Sequence, residues 1–389
     1  MKTSDLRILF VVDAIQGRNG VGTYYQDLVA QLRPRVAHAE LVAPRLDSPH
    51  PCQGRALTMP GDRTQHLYLP RLRALTRLVV DRRPDVIVVP GPGLFSLAAC
   101  WIAARLGIPV CVTHQTDYRQ LASLYWRGPL ARLAQGLLQG LNLWMFRHAA
   151  AVATISEPML AQLRALGVVQ PQLVGTPLAP PFLTTPVIAP GASIRRILFV
   201  GRLAAEKQLD RFLALSAARP DLVFTVVGEG PLRPLVEQHV RRQRNLVCLG
   251  WCGRETVVLQ VDAHDLLILP SAVEAFGTVA LEAMARRRLV MVSPACGIND
   301  WPALADGLFV MAPGESLEQA LARLEAEPVM RRGQRAARAE EGARAINEQC
   351  LGQWLQVLAL AAASRPQPAR PRSSPAFALL RRLALNAGN

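Results

Sequence analysis

The chain has 389 residues, of which half are hydrophobic and 19% charged; this excludes a disordered polymer and is long enough for two domains. Forty-four basic residues against 29 acidic ones leave a formal charge of +15, which points to an anionic partner such as a nucleic acid, an anionic membrane surface or a phosphorylated substrate. Aromatic residues make up only 5% and the arginines are scattered rather than gathered on one motif, which argues against nucleic acid.

From the N-terminus, the apolar run ILFVV (8–12) is too short for a secretory signal and reads as a buried strand. GRNGVG (17–22) follows it and opens a helix, with small residues that let backbone N–H groups approach a phosphate or a sugar. The order is not that of a dinucleotide fingerprint, and Glu40 is placed ahead of the second strand rather than after it. DVIVV (85–89), a helical stretch, PVCVT (109–113), a long helical region over 120–147 and AAVATIS (150–156) continue the alternation. HQTDY (114–118) directly follows a strand, so His114 is placed at a strand's carboxyl end.

A Pro-rich linker, GTPLAPPFLTTPVIAPGAS (175–193), interrupts the pattern. The alternation restarts with RILFVG (196–201), LVFTVVGEG (222–230), LVCLG (246–250), DLLILP (265–270) and LVMVS (289–293). A last helix near 344–363 either closes the second half or crosses back to the first, and 364–389 reads as a Pro/Arg-rich tail with a short amphipathic segment. The pattern predicts an α/β chain of two doubly wound, Rossmann-like domains: 1–175, a linker 176–194, and 195–363. In such sheets ligands bind outside the carboxyl ends of the strands, so the residues just after each strand are the candidates.

Among the 44 basic residues only Lys2 and Lys207 are lysine. Lysine is a compact point charge where arginine is a planar fork, so Lys207 in VGRLAAEKQLD (200–210) draws notice. Arg202 and Lys207 can converge on one anion, and with a helix N-terminus they can neutralise a diphosphate without a metal; no D-x-D motif is present. The plainer role is an ion pair of a neighbouring arginine with Glu206. In SAVEAFGTVALEAMA (271–285), Glu274 lies in the loop, Phe276-Gly277 makes the turn, and Thr278 is read as the helix cap, with Glu282 one turn in. A carboxylate there can accept two hydrogen bonds from the vicinal diol of a ribose; the plainer role is a pair with Arg286. The seven cysteines include Cys248 and Cys252, four apart, with no second pair to complete a zinc site. They read as reduced thiols, hence a cytoplasmic setting.

Taken together, GRNGVG, HQTDY, SEP (156–158), VGRLAAEK, VVGEGP (226–231), NLVCLGW (245–251) and above all the E-x7-E segment resemble the retaining glycosyltransferases of family 4, up to about residue 360. The resemblance implies the GT-B fold, with the active site in the cleft between two facing domains, and transfer of a hexose from a nucleotide-diphosphate sugar with no cofactor and no metal. It implies that Arg202 and Lys207 bind the diphosphate, Glu282 the ribose and Glu274 the donor sugar. Backbone at Phe276, Gly277 and Thr278 would touch sugar and phosphates, and Gly20 would admit the first loop to the phosphate. His114 would sit by the donor sugar with Asp117 and Tyr118 on the acceptor side, and Trp251-Cys252 would border the base, UDP being preferred. CGINDW (296–301) departs from the family's Gly-Gly-x-x-Glu-like loop, and TPLAPP departs after Gly175.

The segments 68–83 and 125–148 and the C-terminal AFALLRRLAL are basic and apolar. They support an expectation of a peripheral enzyme on the inner face of the plasma membrane, acting on a lipid or lipid-linked saccharide acceptor. The alternatives are a catalytically weak GT-B scaffold and a sugar-nucleotide epimerase.

Overall fold

The computed structural model describes residues 2–17, 20–59, 62–115, 129–188 and 191–364. The first half contains β1 (Arg7–Val11), α1 (Gly20–Leu32), β2 (His38–Val42), β3 (Gln53–Met59), β4 (Asp62–Pro70), α2 (Leu72–Arg82) and β5 (Val86–Val89). It continues with α3 (Leu94–Leu106), β6 (Val110–His114), α4 (Pro129–His148), β7 (Ala151–Thr154), α5 (Glu157–Ala165) and β8 (Gln172–Leu173). A short helix, α6 (Pro180–Thr184), lies in the Pro-rich connection.

The second half has β9 (Arg196–Val200), α7 (Leu209–Ala218), β10 (Val223–Val227), α8 (Arg233–Val240), β11 (Leu246–Gly250), α9 (Arg254–Ala263) and β12 (Leu266–Leu269). It ends with α10 (Thr278–Ala285), β13 (Leu289–Val292), α11 (Pro302–Ala305), β14 (Leu308–Val310), α12 (Leu317–Glu325) and α13 (Val329–Ala363).

Each half is built on a six-stranded sheet, in the orders β2-β1-β5-β6-β7-β8 and β11-β10-β9-β12-β13-β14. The pairings within both are parallel. The central strands are buried on both faces, as at Ile8–Val11, Val86–Val89 and Leu266–Leu269, which is why they read as unbroken apolar runs rather than alternating ones. The strand order reverses at β1/β5 and again at β9/β12. These are the switch points where crossover helices diverge to opposite faces and leave a crevice at the carboxyl ends.

Three features differ from the sequence reading. Glu40 lies inside β2, not ahead of it. The β3/β4 antiparallel hairpin interrupts the strand–helix alternation of the first half. In the linker, Pro180 and Pro181 start a helical turn that buries Phe182 completely, a use of proline suited to the first helical position. The side chain of Arg286 then holds the linker, donating to the carbonyls of Thr185 (2.5 Å) and Pro186 (2.6 Å) while pairing with Asp262.

The last helix is longer than the sequence suggests, and it crosses back. Along α13, Ala336 packs in the second half's core, whereas Asn347 accepts from Leu178 N (2.9 Å) and Gln31 Nε2 (2.7 Å). Farther on, the fully buried Trp354 donates to the Tyr24 hydroxyl (2.8 Å) and packs edge-on against Phe10 of β1. The two sheets are therefore joined at one end by a shared apolar cluster, and a cleft remains between their carboxyl ends. No helix among the described residues is long and apolar enough to cross a membrane.

Candidate active site

The cleft is a cavity of about 960 Å³, of the size that takes a nucleotide-sized ligand. Gly20, Arg202, Lys207, Cys252, Glu274, Gly277, Thr278 and Glu282 all line it, together with Trp251. A smaller hollow of about 370 Å³ at Arg211, Pro294 and 311–316 contains none of these residues.

The second half's wall is three loops laced together at the strand ends. Gly201 N donates to Val227 O (3.0 Å), Leu203 N to Glu229 O (2.9 Å) and Gly228 N to Gly250 O (2.7 Å). Gly228 has φ +142°, and a Cβ there would overlap the Gly201 carbonyl; only glycine lets the two backbones meet. A further bond, Ala272 N to Glu206 O (2.8 Å), ties the lysine loop to the loop after β12.

On this scaffold Lys207 Nζ donates to Glu274 Oε2. Burial opposes charge on Lys207, but the Glu274 carboxylate, with smaller contributions from Cys296 and Glu206, holds its ammonium above the usual lysine range. Arg202 lies 3.5 Å from Glu206. Burial lowers the Arg202 pKa, opposed by Glu206. Two cations on one loop and Glu274 on the next thus face the cleft, with Glu206 buried beside Arg202.

The turn into α10 is made by Gly277, at φ +95° and ψ +57°. Gly277 is the N-cap and Thr278 the first helical residue, which corrects the assignment of Thr278 as cap: only glycine enters this left-handed conformation freely, so the cap falls one residue earlier. Phe276 is buried under the turn, edge-on to Trp301 at 5.9 Å, so only its backbone can serve the cleft. The departing loop CGINDW backs the site: Gly297 N donates to Glu274 O (2.9 Å), and Cys296 forms an isolated parallel bridge with Glu274.

Glu282 is buried and does not pair with Arg286; it accepts from Arg254 Nη1. Arg254 Nη2 donates to Asp27 Oδ2 on α1 of the first half. Burial pushes the Asp27 carboxyl up to about 7, with Arg254 opposing and Glu282 reinforcing the rise. Burial also raises Glu282, opposed by Arg254. Asp27 and Arg254 are absent from the sequence reading. Arg254 carried a usable signal, since it follows the strand LVCLG by the same rule that marked Arg202. Asp27 carried a weaker one, a carboxylate on the buried face of α1 beside Tyr24 and Leu28.

On the opposite wall Gly20 begins α1 and faces open space. Trp251 is 42% exposed and donates from Nε1 to Gly17 O across the cleft (3.2 Å). His114 ends β6 but is not among the residues lining the cavity. Its ring packs edge-on to Phe146 at 5.5 Å, and its carbonyl accepts from Thr154 (2.7 Å). Asp117 and Tyr118 lie outside the described residues, as do part of the 125–148 segment and the AFALLRRLAL tail. Among the described residues no group of three or more His, Cys, Asp and Glu side chains gathers into a metal-ligand set.

Residues 19–179 match the glycosyl transferase 4-like domain and residues 194–326 the glycosyl transferases group 1 domain. Over 272 residues the chain is 30% identical to 2-deoxystreptamine glucosyltransferase of Streptomyces kanamyceticus, covering 64% of this chain and 70% of that protein. The chain belongs to the GT4-like GT-B glycosyltransferases. This glycosyltransferase is also 33% identical over 224 residues to 2-deoxystreptamine N-acetyl-D-glucosaminyltransferase of Streptomyces fradiae, 52% of this chain and 53% of that one. It therefore spans about half the length of that relative. Anabaena HepE in complex with UDP-glucose has the same fold, with a TM-score of 0.62 at 16% identity, covering 90% of this chain and 99% of that one.

Proposed function

We propose that this glycosyltransferase moves a hexose from a nucleotide-diphosphate sugar to a hydroxyl of a lipid or lipid-linked saccharide, with retention and without a metal. The observation that carries the donor reading is the convergence of Arg202, Lys207, Glu274 and Glu282 on one cleft at the second sheet's switch point. Arg202 and Lys207 supply two positive charges for the diphosphate, Glu274 accepts from sugar hydroxyls, and Glu282 accepts from the ribose diol. The UDP-glucose held by the HepE fold favours a uridine donor.

In the reaction the acceptor oxygen bonds to the anomeric carbon from the face the diphosphate leaves. The carbon–phosphate-oxygen bond breaks, and the acceptor's proton passes to the departing phosphate. Lys207 and Arg202 stabilise the charge that grows on the leaving group. No covalent enzyme nucleophile is required.

The two relatives are named for 2-deoxystreptamine. The charge of this chain is +15, and the cleft's first-half wall carries two arginines, Arg33 and Arg45, against one acid, Asp47, a local balance that disfavours a cationic acceptor. They favour an acceptor that carries phosphate, which supports the lipid reading and a peripheral position on an anionic membrane. The test is nucleotide release from UDP-, GDP- and ADP-sugars, with and without a membrane-lipid extract and with 2-deoxystreptamine as the rival acceptor. Release from one donor, raised by lipid and lost in Lys207→Ala, is the expected result. Stimulation by 2-deoxystreptamine alone overturns the lipid acceptor, and nucleotide binding without release favours a scaffold.

A further inference from the structure

Arg254 joins three elements from two halves. It begins α9, donates to Glu282 on α10 and to Asp27 on α1, and stands over the linker's Phe182, its guanidinium carbon 5.8 Å from the ring. Asp27 and Glu282 have side chains only 4% and 2% exposed. One cation between two buried carboxylates is an unbalanced set. Such sets are poor stabilisers, because the desolvation of each ion rivals the attraction it gains. Arg254 and Glu282 line the cleft, and Arg254 Nε is buried without an acceptor among the described residues.

We propose that Arg254 is a positioning residue that keeps the Glu282 carboxylate charged and aimed at the ribose diol of the donor, and that its bond to Asp27 links this to closure of the two halves. The proposal rests on the donor reading above. Arg254 Nη1 engages one oxygen of Glu282 and fixes the plane of the carboxylate. Asp27 anchors the other arm of the guanidinium to the opposite half. When the halves separate, Arg254 loses Asp27 and its fork is no longer held. When they approach, Glu282 is set for the diol. Recognition of the 2′-hydroxyl and domain closure are then one event.

The experiment compares binding of UDP, GDP and ADP with that of their 2′-deoxy counterparts to the full chain by calorimetry. The wild type is expected to prefer one ribonucleotide over its deoxy form by about tenfold or more, the loss of a hydrogen bond to a charged acceptor. Arg254→Ala and the longer Arg254→Gln, both checked for folding by circular dichroism, are expected to bring that ratio close to one. Arg254→Lys restores part of it, and Glu282→Gln abolishes it with no further loss in the double variant. Nucleotide is expected to compact the wild type in small-angle scattering, and Asp27→Asn is expected to remove that compaction. A wild-type ratio in Arg254→Ala overturns the role of Arg254 while leaving the donor reading intact. Unchanged compaction in Asp27→Asn overturns the link to closure. A wild type that binds no nucleoside diphosphate overturns the donor reading itself.

Discussion

Lys207 and Glu274, 67 residues apart in the chain, share a half-buried ion pair at the meeting of two loops, each anchored to a neighbouring parallel strand. The pair holds a charged ammonium at the crevice floor before any anion arrives. A diphosphate entering the cleft meets a cation already partly desolvated and oriented, and so needs little reorganisation to be stabilised.

Replacing Lys207 by Ala is expected to lower turnover by about 10²–10³-fold, the usual effect of removing one stabilising donor from a reaction centre. Lys207→Arg recovers only part of this, because a planar guanidinium does not reproduce the compact ammonium that donates to Glu274. Steady-state kinetics of nucleotide release checks both. An Arg variant with wild-type turnover would show that charge alone suffices.

Gly277→Ala places a side chain at φ +95°, with the new Cβ 3.1 Å from Leu269 Cδ2. Holding a non-glycine residue in the left-handed region costs about 1–3 kcal/mol. Thermal unfolding should show a lower Tm, and donor KM should rise because the turn sets the start of α10. An unchanged Tm would mean that the turn relaxes without strain.

The Asp27 carboxyl ordinarily titrates near 3.8, but in the fold it titrates at about 7. Between these values the folded chain binds a proton that the unfolded chain has released. The contribution of this group is therefore complete below pH 4 and is lost as pH rises through about 7. Glu282 is shifted in the same direction. Asp27→Asn removes one such group, so its Tm relative to wild type is expected to rise between pH 5 and pH 8. A difference that stays flat across that window would contradict the shift.

Trp354 is fully buried where α13 crosses to the first half, donating to Tyr24. Trp354→Ala should cost about 3–5 kcal/mol by loss of packing and by the cavity left behind, read as a lower denaturant midpoint. Tyr24→Phe, which keeps the ring but removes both the acceptor of that bond and the hydroxyl's own donation to Gly175 O (3.0 Å), should cost less. Equal losses in the two variants would place the energy in the hydrogen bonds of the Tyr24 hydroxyl rather than in packing.

Much of the fold was legible because parallel strands buried on both faces leave unbroken apolar runs, and RILFV, DLLILP and LVMVS each fall on a strand. The hairpin over 53–70 was not, because it forms an antiparallel pair without a two-residue Asn-Gly or Asp-Gly turn and its apolar positions Leu57 and Leu67 stay exposed. The cap of α10 was read one residue late because threonine and glycine rank about alike as caps, and only the backbone, at positive φ, selects glycine.

By itself the sequence determined the two sheets, the linker between them and the residues that end their strands. Local propensity and burial act over a few neighbours, and a carboxyl-end position follows from them. Only the tertiary structure decided which side chains meet. Whether Glu282 pairs with Arg286, four residues away, or with Arg254 on another helix depends on how α9 and α10 pack, and the linker claims Arg286 first. The partnership of Arg254 with Asp27 depends in turn on how close α13 draws the two halves. That distance is a sum of packing over the whole chain, and no short stretch of residues encodes it.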